Sequence, residues 1–240
     1  MTQACGSRHR FRPGIPWAIL CWLPALGCSE APDATTENVE GVTFSCERPE
    51  IGKIVSPDGS FCTGTLIQPD IVLTAAHCTH DLKAPLDFAV RSSAEPTSYA
   101  YSIAAAYANP DYFDGSYVHD IGLMKLATVV PSSVAEPRQL TQQPTPNGTR
   151  ITIWGYSQDS SSGDTLDFDI GRKHYAEFEW PAKTAIVWHG DSGGPLIRED
   201  EGTVARVVSG FIENPALTID LSAPVSVNWE WLQTTLALIH

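Results

Sequence analysis

The sequence predicts an all-β protein built in two halves with a single C-terminal helix. After about residue 42, short apolar and β-branched segments such as SFCTGTLI (60–67) alternate with turn signals. The segment Pro131–Gly148, rich in proline, glutamine, serine and threonine, divides them into two groups. Only the end, NWEWLQTTLALIH (228–240), has the apolar spacing of a helix. These features leave a β-sandwich and a β-barrel open.

The amino terminus predicts an export signal rather than a part of the fold. Arg8, Arg10 and Arg12 precede an uncharged apolar stretch, residues 15–27. This stretch is short and contains two prolines, so it is not suited to span a membrane. We therefore expect residues 1–27 to be a signal peptide.

The end of this stretch, ALGC (25–28), resembles a bacterial lipoprotein cleavage site, in which the cysteine carries the lipid. We expect Cys28 to be lipidated and the acidic residues 28–41 to form a solvated tether. The protein would then meet a membrane only through this anchor. The expected location is the bacterial cell envelope or the extracellular medium.

Composition and charge indicate a globular protein that does not bind nucleic acid. The chain has 240 residues, of which 42% are hydrophobic and 18% charged. This length suits one large domain or two small packed ones. The net charge is −13 and no basic stripe is visible, which excludes nucleic acid as a partner.

Three cysteines follow the expected signal and its cleavage site: Cys46, Cys62 and Cys78. An exported domain favours a disulfide bond, but an odd number leaves one cysteine over. Spacing alone does not select the pair.

The chemistry is suggested by GDSGGPL (190–196), which surrounds Ser192 with glycines and predicts a tight turn that presents its hydroxyl group. A nucleophilic serine needs a base, and the base needs an acid to orient it. His77 follows an apolar strand and is a candidate base. Asp120 heads an apolar run, where burial would require a partner such as an imidazole N–H.

Three motifs occur in the order histidine, aspartate, serine: TLIQPDIVLTAAHC (65–78), HDIGLMKL (119–126) and GDSGGPL (190–196). Together they resemble the trypsin/chymotrypsin-like serine proteases, from about Val42 to the C-terminus. Each motif alone is only suggestive, but the three together are specific.

The resemblance implies a protease domain over residues 42–240. Its fold would be two antiparallel six-stranded β-barrels, about 42–130 and 145–228, and a helix at 228–239. The active site would lie between the barrels.

The resemblance also implies the role of each site residue. His77 would be the general base, Asp120 its orienting acid and Ser192 the nucleophile. The backbone N–H groups of Gly190 and Ser192 would form the oxyanion hole. The implied activity is that of a monomeric serine endopeptidase, which hydrolyses proteins or peptides through an acyl-enzyme with no metal or organic cofactor.

The family further implies a disulfide bond between Cys62 and Cys78, which leaves Cys46 over unless it meets an unlipidated Cys28. Two departures from the family stand out. The chain lacks the Ile-Val-Gly-Gly motif whose new amine pairs with the aspartate before the serine, here Asp191. Trp188 stands where the family commonly has a cysteine.

Four residues are implied to bind substrate. Ile186 stands where enzymes that cut after Arg or Lys usually have an aspartate. Ser209 matches the family's serine on the strand that pairs with substrate, and Phe211 would narrow the pocket mouth. Asp220 falls near the opposite wall. We expect a small or medium apolar residue before the cut bond.

The sequence also permits other interpretations. The competing class is a non-catalytic binding protein on the same scaffold, which would have no need of an intact triad. His77 and His80 with the cysteines suggest zinc, although the spacing lacks a second cysteine pair. The polar loop 159–164 is a weak calcium candidate. Asn147 begins a glycosylation acceptor, but the resemblance of residues 25–28 to a bacterial lipoprotein signal favours an accidental match.

Overall fold

A computed structural model of the protein describes residues 43–45, 48–92, 97–156, 173–181, 187, 189–214 and 217–239. Among these residues, seven strands precede the connecting segment: β1 (Thr43–Ser45), β2 (Ile51–Val55), β3 (Phe61–Gln68), β4 (Ile71–Thr74), β5 (Asp87–Arg91), β6 (Ser98–Ala108) and β7 (Gly122–Leu126). In the described part that follows it lie five strands and one α-helix: β8 (Arg150–Gly155), β9 (Lys173–Glu179), β10 (Pro195–Arg198), β11 (Thr203–Asn214), β12 (Leu217–Pro224) and α1 (Trp229–Leu238).

Strands β2 to β7 form a closed antiparallel barrel in the order β2-β3-β4-β7-β6-β5. The barrel encloses aliphatic and aromatic side chains, because β-branched and aromatic residues pack well on a pleated surface. Its fully buried members include Ile51, Ile54, Leu66, Ile71, Leu73, Phe88, Leu123 and Met124. This core fixes the end of β4 and the start of β7, and the predicted catalytic residues His77 and Asp120 lie just beyond these points.

The other strands form a six-stranded antiparallel sheet in the order β1-β9-β8-β10-β11-β12. Strand β1 belongs to this sheet and pairs with β9, although it precedes the barrel in the chain. The family resemblance predicts residues 42–130 together in the first barrel, whereas residues 43–45 pair with the second sheet. A pairing between two edges so far apart in the chain leaves no local pattern in the sequence.

The connecting segment Pro131–Gly148 links the two sheets through specific contacts. Arg138 forms an ion pair with the buried Glu50 and donates a hydrogen bond to the carbonyl oxygen of Gly202 (3.0 Å). Leu140 forms a β-bridge with Val204. These contacts tie the segment to the barrel through Glu50 and to the second sheet through β11.

The C-terminal helix α1 packs through the residues that its spacing predicts. Leu232 and Leu236 are buried, and Trp229 and Ile239 pack against the same core. Among the described residues, no helix has the length and apolar character needed to cross a membrane.

Lys173, the first residue of β9, is a lysine placed in the interior. Its side chain is fully buried and its Nζ donates a hydrogen bond to the carbonyl oxygen of Ile51 (3.3 Å). Burial lowers the pKa of Lys173 from 10.5 to about 7; Glu50 opposes this shift, whereas Arg91 and Arg48 add to it.

Lys173 should therefore make stability depend on pH. Between pH 7 and 10.5 the unfolded chain binds a proton at this lysine that the folded chain does not. Falling pH in this range should weaken the folded wild type relative to Lys173→Met, by at most about 1.4 kcal/mol per pH unit. Urea unfolding of both proteins at several pH values measures the difference. Lys83→Met at an exposed site is the control, and a difference that does not vary with pH would contradict this expectation.

Candidate active site

The structure brings His77 and Asp120 into direct contact. His77 Nδ1 lies 2.7 Å from Asp120 Oδ2, and the backbone N–H of His77 donates to Asp120 Oδ1 at 2.9 Å. Asp120 is 2% exposed, whereas the His77 side chain is 20% exposed. The carboxylate therefore fixes the imidazole with Nδ1 as the donor, which leaves Nε2 as the ring nitrogen that can accept a proton.

His77 is held by the strand that precedes it and by a disulfide bond. It opens a short 3-10 helix, His77–Thr79, directly after β4. The next residue, Cys78, is joined to Cys62 of β3, so the predicted disulfide is confirmed. His77 Nε2 lies 3.5 Å from Cys78 Sγ, and this oxidised sulfur is only a weak acceptor.

Asp120 directly follows a turn, and Asn228, near the C-terminus, makes hydrogen bonds that hold this turn in place. The turn is a 3-10 helix, Tyr117–His119. Asn228 is 2% exposed; its Nδ2 donates to the carbonyl oxygens of Val118 (2.8 Å) and Pro224 (2.7 Å). Its Oδ1 accepts from the side chains of His119 (2.9 Å) and Asn109 (2.8 Å). The start of α1 and the residues before Asp120 are thus one hydrogen-bonded unit.

Ser209 supplies the third hydrogen bond to Asp120. Its hydroxyl lies 2.5 Å from Asp120 Oδ2, and Ser209 is itself buried. The register between β11 and β12 shifts between Val208 and Gly210, so Ser209 occupies a bulge in β11. A bulge redirects one side chain without ending the strand. Here the bulge lies at Ser209, whose side chain extends from the second sheet to Asp120 on the barrel side of the site.

Ser192 lies in the turn before β10, and glycines shape this turn. Gly190 and Gly193 have φ values of +100° and +84°, a region that glycine adopts without steric cost. A Cβ at Gly190 would collide with the Phe61 ring, and one at Gly193 would collide with Thr74 and the Thr63 carbonyl. The glycines are therefore required by both backbone conformation and close packing.

The turn faces the His77 ring across a cleft of about 370 Å³. His77, Gly190 and Ser192 all line this cleft, together with His189 and Phe61. Within the described part of the chain, no hydrogen bond joins the Ser192 hydroxyl to His77, as is common for such pairs before substrate binds. Within the same residues, the N–H groups of Gly190 and Ser192 donate no backbone hydrogen bond.

Asp191, between the two predicted oxyanion-hole residues, points into the protein. Its side chain is fully buried, and its carboxylate lies against Gly155 at the end of β8, where a Cβ would collide with it. The Asp191 side chain therefore packs against the end of β8 and does not line the cleft, whereas its neighbours Gly190 and Ser192 do.

The structure describes only part of the predicted specificity pocket. Ile186 and Trp188 lie outside the described residues, as do Cys28 and Cys46. The backbones of Phe211 and Asp220 are direct partners in the β11–β12 register. Only Ser209 of the four predicted pocket residues has a described side chain, and it contacts Asp120.

The disulfide bond between Cys62 and Cys78 argues against the zinc site that the sequence suggested. The ligand atoms of Cys62, His77 and Cys78 lie within 4.8 Å of one another. However, the two sulfurs are bonded to each other and offer no thiolate. The histidine is therefore left without the sulfur ligands that the alternative requires. The weak calcium candidate, residues 159–164, lies outside the described residues.

Sequence reasoning missed two residues that support the site: Asn228, which bonds to the turn before Asp120, and Thr63, which bonds to the Ser192 turn. Thr63 donates hydrogen bonds to the carbonyl oxygens of Gly190 and Ser192 (both 2.8 Å). Asn228 precedes an apolar helix, a position that favours asparagine as a cap, but nothing in the sequence connects it to Asp120. Thr63 lies in a β-strand motif and gives no local signal.

Comparison with known sequences identifies relatives over most of the chain. The protein-family description "Trypsin" matches residues 45–232. Mast cell protease 2 of Meriones unguiculatus is 30% identical over 200 residues, which cover 74% of this chain and 79% of that protein. Trypsin of Saccharopolyspora erythraea is 27% identical over 168 residues, covering 60% of this chain and 74% of that protein.

Comparison with solved structures supports the fold. The structure of neuropsin, a serine protease expressed in the limbic system of mouse brain, aligns with a TM-score of 0.66 at 20% identity. The alignment covers 82% of this chain and 99% of that structure. The predicted all-β class with a C-terminal helix is confirmed; of the two predicted six-stranded barrels, the first is a closed barrel and the second is a six-stranded antiparallel sheet.

Proposed function

Since the chain belongs to the trypsin family of serine proteases, we propose that it is an endopeptidase in which Ser192, His77 and Asp120 act together. The observation that carries this proposal is the buried Asp120 carboxylate on His77 Nδ1, with His77 facing the cleft that Ser192 lines. The substrates are proteins or peptides, as in the family.

Three groups have defined tasks in the proposed reaction, which is that of Ser-His-Asp triads in this family. Ser192 Oγ forms a bond to the carbonyl carbon of the scissile peptide while His77 Nε2 takes its proton. The imidazolium then gives this proton to the leaving amine as the C–N bond breaks. Water repeats the sequence on the acyl-enzyme. Asp120 stabilises the imidazolium through Nδ1 and keeps its own charge.

The turn before β10 offers N–H groups that can stabilise the negative charge formed on the carbonyl oxygen of the scissile peptide. The N–H groups of Gly190 and Ser192 have no backbone acceptor among the described residues, and both residues line the cleft. We assign these two N–H groups to the oxyanion hole. Donors fixed in advance need no reorganisation when the charge develops.

Replacing the nucleophile tests the proposal. Ser192→Ala should lower the hydrolysis of peptide amides by about three or more orders of magnitude, because the variant lacks the hydroxyl oxygen that forms the acyl-enzyme. The turn should keep its shape, because the Ser192 hydroxyl makes no hydrogen bond among the described residues. The measurement is kcat/KM with purified protein, together with circular dichroism to establish folding.

Ser132→Ala is the matched control, because Ser132 is exposed in the connecting segment. It should leave kcat/KM unchanged. A folded wild type that hydrolyses no peptide in any processed form would favour the non-catalytic binding protein instead.

We propose further that the enzyme cleaves after a small or medium apolar residue. The support is the absence of an acidic residue at position 186, where Ile186 stands, and the Phe211 ring expected at the pocket mouth. Asp220 is the one acidic residue expected near the pocket. Burial of an unpaired carboxylate there would be costly, so it must pair, protonate or face solvent.

A peptide library that varies the residue before the cut bond tests this preference. The expected result is cleavage after apolar residues, with the same profile in Asp220→Ala. Asp200→Ala controls for the loss of one surface carboxylate, since Asp200 lies in the turn between β10 and β11. A strong Arg or Lys preference that disappears only in Asp220→Ala would overturn the assignment.

Export and anchoring belong to the same proposal. Residues 1–27 have the charge and apolar pattern of a signal peptide, and ALGC at 25–28 suits lipidation of Cys28. A single lipid and an acidic tether would hold the domain at the cell envelope. Mass spectrometry of the mature N-terminus distinguishes a lipidated Cys28 from an unmodified one.

A further inference from the structure

We infer that the hydroxyl group of Thr63 is the positioning group for the oxyanion hole. It holds the turn Gly190–Ser192 so that the N–H groups of Gly190 and Ser192 stay aimed at the cleft. The inference rests on the peptidase activity proposed above. It adds a residue that neither touches substrate nor belongs to the triad.

Thr63 makes two hydrogen bonds to the turn from across the interface between the sheets. It lies in β3 of the barrel and is fully buried. Its Oγ1 donates to the carbonyl oxygen of Gly190 (2.8 Å), and its backbone N–H donates to the carbonyl oxygen of Ser192 (2.8 Å). The two bonded carbonyls belong to the peptide planes before and after the one that carries the Ser192 N–H. That central plane is therefore restrained on both sides.

The direction of the hydroxyl hydrogen is fixed by a third partner. The backbone N–H of Tyr156 donates to Thr63 Oγ1 at 3.2 Å. With this oxygen accepting from Tyr156, the single hydroxyl hydrogen is directed to the carbonyl oxygen of Gly190. The Tyr156 hydroxyl donates in turn to the carbonyl oxygen of Ile51 (3.1 Å), so the orienting residue is itself attached to the barrel.

The turn needs such a restraint because of its composition. Gly190 has a φ of +100°, and glycine reaches several backbone conformations at little cost. A change of ψ at Gly190 or of φ at Asp191 would reorient the planes on either side of the Gly190–Asp191 plane, which carry the Gly190 and Ser192 N–H groups. An oxyanion hole works only if its donors are held in place before the charge forms. The Thr63 hydroxyl opposes this rotation directly.

The chain contains a matched control on the same strand. Thr65 lies two residues along β3, so its side chain falls on the same face of the strand. It is also fully buried, but its hydroxyl has no hydrogen-bond partner among the described residues. Thr→Val keeps the branched shape and removes only the hydroxyl. The two substitutions therefore differ mainly in the hydrogen bonds that they break.

The test compares Thr63→Val, Thr65→Val and Thr63→Ser with the wild type, using kcat, KM and thermal unfolding. Thr63→Val should lower kcat about 10- to 100-fold, less than the loss of an oxyanion donor itself. KM should change by less than about threefold, because the lost interaction acts on the transition state. Thr63→Ser keeps the hydroxyl and should restore most of kcat. Thr65→Val should match the wild type.

The outcomes separate this inference from the function on which it rests. If the wild type cleaves no peptide, the proposed function fails and the inference fails with it. If the wild type is active and folded Thr63→Val retains its kcat, only the inference is overturned. A loss in Thr63→Val that Thr63→Ser shares equally would also overturn it. If Thr63→Val does not fold, Thr63→Ala replaces it, and failure of both to fold would show that the hydroxyl maintains the fold rather than the turn.

Discussion

The buried carboxylate of Asp120 is the constraint on which the site depends. A charge that is 2% exposed is tolerated only when its oxygens are satisfied, and three hydrogen bonds satisfy them. Two come from His77 in the barrel, and the third comes from Ser209 in the second sheet. Misalignment of the two sheets would remove the Ser209 hydrogen bond from this buried charge. The carboxylate that orients His77 therefore also joins the barrel side of the site to the second sheet.

The Ser192 turn is held to the barrel by a second set of bonds. Thr63 of β3 contacts the carbonyls of Gly190 and Ser192, while the N–H of Gly193 donates to the carbonyl of Val208 in β11 (2.8 Å). Val208 is the neighbour of Ser209, so the strand that supplies a hydrogen bond to Asp120 also supports the proposed nucleophile. The glycines permit the turn, and the hydrogen bonds select one of the conformations that glycine allows.

The parts that the sequence predicted are those with local or family patterns. His77, Asp120 and Ser192 stand in motifs, the Cys62–Cys78 bond followed from the resemblance, and α1 followed from apolar spacing. Ser209 was predicted as a substrate-binding residue, but its hydrogen bond to Asp120 depends on a bulge that has no sequence marker. The hydrogen bonds of Thr63 form only because the two sheets approach each other, and this approach has no marker in the sequence. Lys173 looks like an exposed strand residue until its burial beside Ile51 is known.

The most direct measurement is the rate at which a serine-directed phosphonate labels Ser192 in the wild type and in Asp120→Asn, with the adduct located by peptide mapping. An asparagine fits the space, but its single oxygen cannot accept all three hydrogen bonds, and its amide group faces donors. The account predicts specific labelling of Ser192 in the wild type and labelling slower by orders of magnitude in the folded variant. Equal rates in both proteins, or labelling at another residue, would contradict it.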